Sequence, residues 1–217
     1  NITHDLKTPL SPIRGYAEVL LEDRGENEAQ VRQYAGIVLK NASYMESLID
    51  DLKLTYQLEN GMLPLRAVEG DVVRFLRELA IDILNAPDYE ERTIRFEAEQ
   101  ESVRYPFDPT LFERAFRNLV INAFVHGNED TEVTLRVWDS DGELRIEVAD
   151  NGAGMGPEAC EHLFDRYYRG ADTGQKTEGT GLGLAIAKGM IELHGGTISV
   201  ASAHGAGSVF RIVFPHA

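Results

Sequence analysis

Cysteine is nearly absent. The one thiol in 217 residues, Cys160, excludes an internal disulfide and fits a reducing compartment. Flanked by Ala159 and Glu161, it reads as a packed or free thiol rather than a nucleophile. Positive charge is also scarce: 21 Lys and Arg stand against 36 Asp and Glu, a formal net charge of −15. A surface that coats DNA or RNA needs clustered cations, so a nucleic-acid partner is excluded. No run approaches the ~20 apolar residues of a membrane span. The residues of this stretch show no signal-peptide pattern, internal repeat or low-complexity tract, so none is expected in it. The 43% of hydrophobic residues is ordinary for a globular chain. The length suits one medium domain plus a smaller element, or two small domains. The chain opens at Asn1 within a helical pattern, which reads as a piece excised from a longer protein.

What is present first is a helical hairpin. Leu6, Leu10, Ile13, Ala17 and Leu20 follow a 4-3-4-3 spacing, the seam of a coiled coil or bundle. His4, Thr8, Ser11 and Gly15 form the opposite stripe, so His4 faces away from the core. Pro9 and Pro12 each remove a backbone donor and predict a bend just after His4. Arg24 to Glu28 reads as the loop, with Gly25 ending the first helix. A second apolar series follows at Val31, Tyr34, Val38, Met45, Leu48 and Leu52. Two antiparallel helices cannot bury both seams, whereas a two-fold dimer forming a four-helix bundle would. A neutral imidazole, with an unperturbed pKa of about 6.5, is a competent nucleophile near neutrality. Asp5 is the acidic neighbour that would fix its tautomer.

Beyond a short linker marked by Asn60-Gly61 and Pro64, the pattern changes. A helix is predicted from about residue 70 to 85, and strands over 93–98, 132–138, 143–149, 196–202 and 207–214. Strands interleaved with a few helices predict an α+β sandwich with helices on one sheet face. In a helix from about 109 to 127, Leu111, Phe112, Ala115, Phe116, Leu119, Val120 and Ala123 form one apolar arc. Asn122 and His126 fall inside that arc and Asn118 at its edge. An amide left unpaired there costs about 1–3 kcal/mol. Either a neighbouring loop or a ligand must satisfy Asn122, and its oxygen suits Mg²⁺.

Three glycine-bearing or aromatic segments complete the list. Asp150-Asn151-Gly152-Ala153-Gly154 follows a strand. It is either an ordinary turn or a place where Asp150 accepts from an adenine amino group while Gly152 and Gly154 pass close to the ring. Phe164 to Arg169 supplies two cations, Arg166 and Arg169, and an aromatic cluster. The polar stretch 170–181 is either a surface loop or a mobile lid. Gly179-Thr180-Gly181-Leu182-Gly183 then opens a helix. A glycine turn at a helix N-terminus is either a tight turn or a phosphate site built from free N–H groups.

Taken in order, these segments resemble the sensor histidine kinases of two-component signalling. Thr3-His4-Asp5-Leu6-Lys7-Thr8-Pro9-Leu10 is similar to the phosphoacceptor box and Asn118-Leu119-Val120-Ile121-Asn122-Ala123 to the N box. Asp150 to Gly154 is similar to the G1 box, Phe164 to Arg169 to the F box, and Gly179 to Gly183 to the G2 box. The resemblance covers nearly the whole chain. It implies a dimerisation and histidine-phosphotransfer hairpin at 1–60 and a Bergerat-type α/β sandwich, the catalytic ATP-binding domain, at 61–217. It implies catalytic roles for His4, which attacks the γ-phosphate of ATP, for Asp5, which orients or deprotonates it, and for Thr8, which positions a water for dephosphorylating the partner. Asn122 would ligate Mg²⁺, with Asn118 beside the phosphates and Asp150 on adenine. Gly152, Gly154, His126, Phe164, Arg166, Arg169, Gly179, Thr180, Gly181, Leu182 and Gly183 would complete the nucleotide site. The implied partners are an aspartate of a response regulator and a second copy of the chain. The implied location is the cytoplasm, with any membrane anchor in a sensor region outside this sequence.

Two departures stand out. The family often has a Lys three positions after the metal-binding Asn and an aromatic after that; here those places hold Val125 and His126. A phosphate cation would then come from Arg166, Arg169 or Lys176. The helix also begins only three residues before His4. The competing readings are an ATP-hydrolysing relative, which needs a Glu where this chain has Asn118, and an ATP-binding scaffold or phosphatase without kinase activity.

Overall fold

The computed structural model describes residues 2–22, 27–168 and 180–216, with side chains from residue 6 onward. The chain divides into two compact units, residues 1–56 and 57–217. In the first, α1 (Ile2–Leu21) runs as one helix through Pro9 and Pro12. α2 (Glu28–Glu59) follows and extends a few residues into the second unit. Tyr16 of α1 and Tyr34 of α2 meet at 5.2 Å between ring centroids. Thr8, Ser11 and Gly15 lie on an exposed stripe, as their spacing predicts. The side chains of His4 and Asp5 lie outside those described. Leu10 and Val31, one from each predicted seam, remain 47% and 41% exposed in a single chain.

In the second unit the chain runs β1 (Val68–Asp71), α3 (Val72–Leu84), β2 (Thr93–Ala98), β3 (Arg104–Phe107), α4 (Pro109–His126), β4 (Glu132–Ser140), β5 (Glu143–Asp150), α5 (Pro157–His162), α6 (Gly183–Leu193), β6 (Thr197–Ser202) and β7 (Ser208–Pro215). Five strands form one sheet in the order β2-β4-β5-β7-β6. β2 runs parallel to β4, and the other neighbours are antiparallel, so the sheet is mixed. Strand alternation decides its two faces. Val133, Leu135, Val137, Leu144, Ile146, Val148, Phe210, Ile212 and Phe214 point inward and are almost fully buried. α3 packs at β2, α4 at β4 and β5, and α6 at β6, all on that apolar face. The other face carries Arg136, which reaches Glu97 at 2.6 Å, and Arg211, which reaches Glu147 at 2.9 Å. These pairs are open to water and add little stability.

The predicted strands and helices all form, within one or two residues at most ends. β1, β3 and the short α5 were not expected. β1 and β3 are four-residue strands that pair only with each other, and β3 contains Pro106, so neither carries a legible period. This small ribbon leads the chain into α3 and α4. Asp71 caps α3, accepting from the Val73 and Arg74 amides at 3.1 and 3.3 Å, and from Val103 at 3.3 Å. Burial works against its charge, but these amides and Ser102 outweigh it and hold the carboxyl below its ordinary value of 3.8. A depressed carboxyl contributes stability above its unfolded pKa and loses it as pH falls through the folded one. We therefore expect Asp71→Ala to cost about 1 kcal/mol near neutral pH and progressively less in acid, measured by urea denaturation.

Candidate functional site

The site grows from the register of β5 against β7, which sets Asp150 opposite Ser208. Asp150 is half-buried, and its Oδ1 accepts from the Gly152 amide at 2.9 Å. Burial pushes this carboxyl above its ordinary value, against the pull of Gly152 and Ser208. It is a strong acceptor held at the end of a central strand, and sequence alone did not find Ser208 beside it. The β6–β7 turn braces the loop that follows. Ser202 Oγ accepts from the Met155 amide at 2.8 Å and donates to the Gly207 carbonyl at 2.7 Å. The Gly205 amide donates to Ala153 at 2.6 Å. Gly154 has φ +66, and a side chain there would collide with the Ala203 carbonyl, so only glycine fits.

The end of α4 closes the other side. A Cβ built on Gly152 would lie 3.5 Å from the Gly127 Cα and 2.9 Å from Asp150 Oδ1. This is a close approach of backbone to carboxylate that a methyl would occupy. Asn122 is half-buried, and its amide has no hydrogen-bond partner among the described residues. The apolar neighbours of the arc, Leu119, Val120 and Ala123, are buried as predicted. The unpaired oxygen fits a hard cation, the donor type Mg²⁺ prefers. Among the described residues no group of three His, Cys, Asp or Glu could hold a metal. His126, one turn on, is exposed at its rim, yet desolvation by the protein around it holds its imidazole below the ordinary 6.5. Asn118 instead donates its amide to the Gly183 carbonyl at 3.0 Å, tying α4 to the start of α6.

That start is the glycine turn. Leu182 precedes α6 and supplies no side-chain cap, so the first amides of the helix lack an internal acceptor. Gly181 has φ +66, Thr180 Oγ1 accepts from the Leu182 amide at 3.0 Å, and Leu182 is 1% exposed. The Tyr167 amide donates to the Gly181 carbonyl at 2.9 Å, and Tyr167 itself takes φ +61. The F-box aromatics and the glycine turn are thus joined backbone to backbone. Phe164 lies at the edge of Phe210, with the Lys188 ammonium 5.6 Å from its centroid. Arg166 forms an ion pair with Glu59. Arg169, Lys176 and Gly179 lie outside the described residues.

β5, α4 and α6 thus contribute a carboxylate acceptor, an unpaired amide oxygen and an uncapped helix N-terminus, with α4 meeting the β5 loop at Gly127–Gly152 and tied to α6 at Asn118–Gly183. Residues 107–217 match the family model of histidine kinase-, DNA gyrase B- and HSP90-like ATPases, which makes this segment an ATP-binding domain of that class. Residues 1–61 match the His Kinase A phospho-acceptor domain. Over 214 residues the chain is 38% identical to the sensor histidine kinase YvrG of Bacillus subtilis, covering 98% of this chain and 37% of YvrG. The full-length histidine kinase ShkA, crystallised in complex with AMPPNP, is 25% identical at a TM-score of 0.74, over 99% of this chain and 45% of that one. Histidine kinase ThkA, in complex with the response regulator TrrA, shares the fold at a TM-score of 0.75 and 20% identity, over 100% and 60%. The chain belongs to the sensor histidine kinases. It spans little more than a third of the length of YvrG.

Gly152→Ala tests the Asp150 end of the site. The methyl would stand 2.9 Å from Asp150 Oδ1. We expect about tenfold weaker binding of a fluorescent ATP analogue, with the melting temperature nearly unchanged.

Proposed function

We propose that this chain is an ATP-dependent protein histidine kinase that phosphorylates its own His4 and passes the phosphoryl group to an aspartate of a response regulator. The observation that carries the reading is a phospho-acceptor match over residues 1–61 in a chain whose other unit presents the uncapped start of α6. Residues 1–60 are the proposed dimerisation and phosphotransfer hairpin, and 61–217 the catalytic domain.

In this reading Asp150 binds the adenine amino group, with Gly152 and Gly154 letting the backbone lie close to the ring and Phe164 and His126 at its margins. The amides of Gly181 and of Gly183 at the start of α6 receive the phosphates together with Gly179 and Thr180. Leu182 anchors that turn in the core. Asn122 holds Mg²⁺, which supplies charge neutralisation at the phosphates when bound. Arg166 is engaged by Glu59, so Arg169 or Lys176 is the proposed phosphate cation in place of the lysine absent at Val125. The neutral His4 ring attacks the γ-phosphorus; the N–P bond forms as the bond to the ADP oxygen breaks, and Asp5 takes the ring proton. Attack by a regulator aspartate then breaks the N–P bond and leaves an acyl phosphate. Thr8, exposed on α1, would position a water that hydrolyses the regulator's acyl phosphate to inorganic phosphate and free aspartate.

The ThkA–TrrA complex supports a receiver-domain partner, and the exposed Leu10 and Val31 support a second copy of the chain as the other half of a bundle. No helix among the described residues is long and apolar enough to cross a membrane. The proposed location is the cytoplasm, where ATP is available, with any anchor carried by a sensor region outside these residues. An ATP-hydrolysing reading is disfavoured, because Asn118 stands where a water-activating Glu would be and its amide is engaged by Gly183.

Incubation with ATP labelled on its γ-phosphate is expected to leave acid-labile, base-stable label on the wild type and none on His4→Gln. Steady turnover with no labelled protein would support hydrolysis instead. Asn122→Ala is expected to abolish Mg²⁺-dependent binding of a fluorescent ATP analogue while the circular dichroism spectrum is retained. Undiminished binding would remove Asn122 from the metal role.

A further inference from the structure

The far end of α6 carries a buried side chain that the nucleotide chemistry does not use. His194 follows the helix and is 8% exposed. Its Nδ1 lies 2.7 Å from the Met190 carbonyl oxygen. A carbonyl can only accept, so Nδ1 carries the proton. Its Nε2 lies 3.0 Å from the backbone nitrogen of Asp108, which can only donate, so Nε2 is bare. The two bonds define one neutral tautomer without reference to any hydrogen position. Phe112 and Phe214 stand edge-on to the ring at 5.2 and 6.4 Å.

Asp108 is the residue that starts α4. Its Oδ1 caps Thr110 at 3.0 Å and Leu111 at 3.3 Å, and its Oδ2 accepts from Arg66 at 3.0 Å. His194 therefore joins the end of α6 to the beginning of α4. A second polar clasp between these two helices is Asn118 to Gly183, at the start of α6. The clasps are ten residues apart on α4 and eleven on α6, about 15 and 16 Å of helix. Two antiparallel helices are thus held at both ends of equal lengths, and a slip at one end must move the other.

We propose that His194 is a positioning residue for the nucleotide site: as a neutral acceptor it fixes the register of α6 on α4, and so sets where the glycine turn stands relative to Asn118 and Asn122. The functional consequence rests on the ATP-binding reading; the register itself does not. A protonated ring would turn an N–H toward the Asp108 N–H and open the clasp. Burial opposes that proton, holding the imidazole below 6.5, while the Met190 carbonyl and the Asp108 carboxylate favour it. Asp108 is the charged group that acts on the ring.

The test uses the whole 217-residue chain. Nitrogen-15 spectra of the wild type are expected to show His194 protonated at Nδ1 and bare at Nε2 at neutral pH. His194→Phe and the milder His194→Gln are expected to shift the Asn118 side-chain amide and speed hydrogen exchange there, at the opposite end of the helix pair. Both should weaken a fluorescent ATP analogue by about tenfold for Phe and less for Gln. In the wild type the Asn118 signal should move as His194 titrates on acidification, a movement absent in His194→Gln. An unchanged Asn118 environment in a folded His194→Gln would overturn the proposal. Should the wild type bind no nucleotide, the function assigned above fails, while the Asn118 signals still judge the register.

Discussion

The antiparallel packing of α4 on α6 is the contact on which the rest depends. α4 presents the Asn122 amide and is tied by Asn118 to the start of α6, which presents the first amides of its own helix. Neither is a site alone. A helix N-terminus is only a weak anion site until something fixes what faces it, and an asparagine on a mostly apolar helix is only a desolvation cost until a ligand uses it. The Asn118 bond ties the two helices at the start of α6, and the sheet supplies Asp150 through the register of β5 on β7.

The sheet acts through register. Asp150 stands opposite Ser208, so the carboxylate that ends β5 is flanked by the first residue of β7. The turn between β6 and β7 then bonds the loop through Ser202 and Gly205. Glycine is required at Gly154 because a neighbouring carbonyl occupies the place of its side chain. The Asp150 end of the site is therefore braced backbone. At the start of α6 the Tyr167 amide donates to the Gly181 carbonyl, joining the aromatic segment to the glycine turn.

Much of this was legible in residues. The alternation of Leu144, Ile146 and Val148, and of Phe210, Ile212 and Phe214, placed two central strands and their inward faces. The arc from Leu111 to Ala123 placed α4 and left Asn122 conspicuous among apolar neighbours. The β1–β3 ribbon was not legible, since four residues and an internal proline carry no period. Ser208, Ser202 and His194 were missed for a different reason. Each is a common residue type whose role comes from a partner roughly 50 to 90 positions away, as with Met155 for Ser202 and Asp108 for His194. Asn118, expected beside the phosphates, donates its amide to the Gly183 carbonyl, a partner 65 positions away.

The order of motifs along the chain determined the family, the mixed sheet beneath its helices, and which residue types could meet a nucleotide. Those properties follow from local period and composition, which a linear chain states directly. Tertiary structure alone decided which amides are free and which are taken, that Arg166 is engaged by Glu59, and that the tautomer of His194 has one value. Hydrogen-bond satisfaction depends on what folding brings near, and sequence distance holds no record of it.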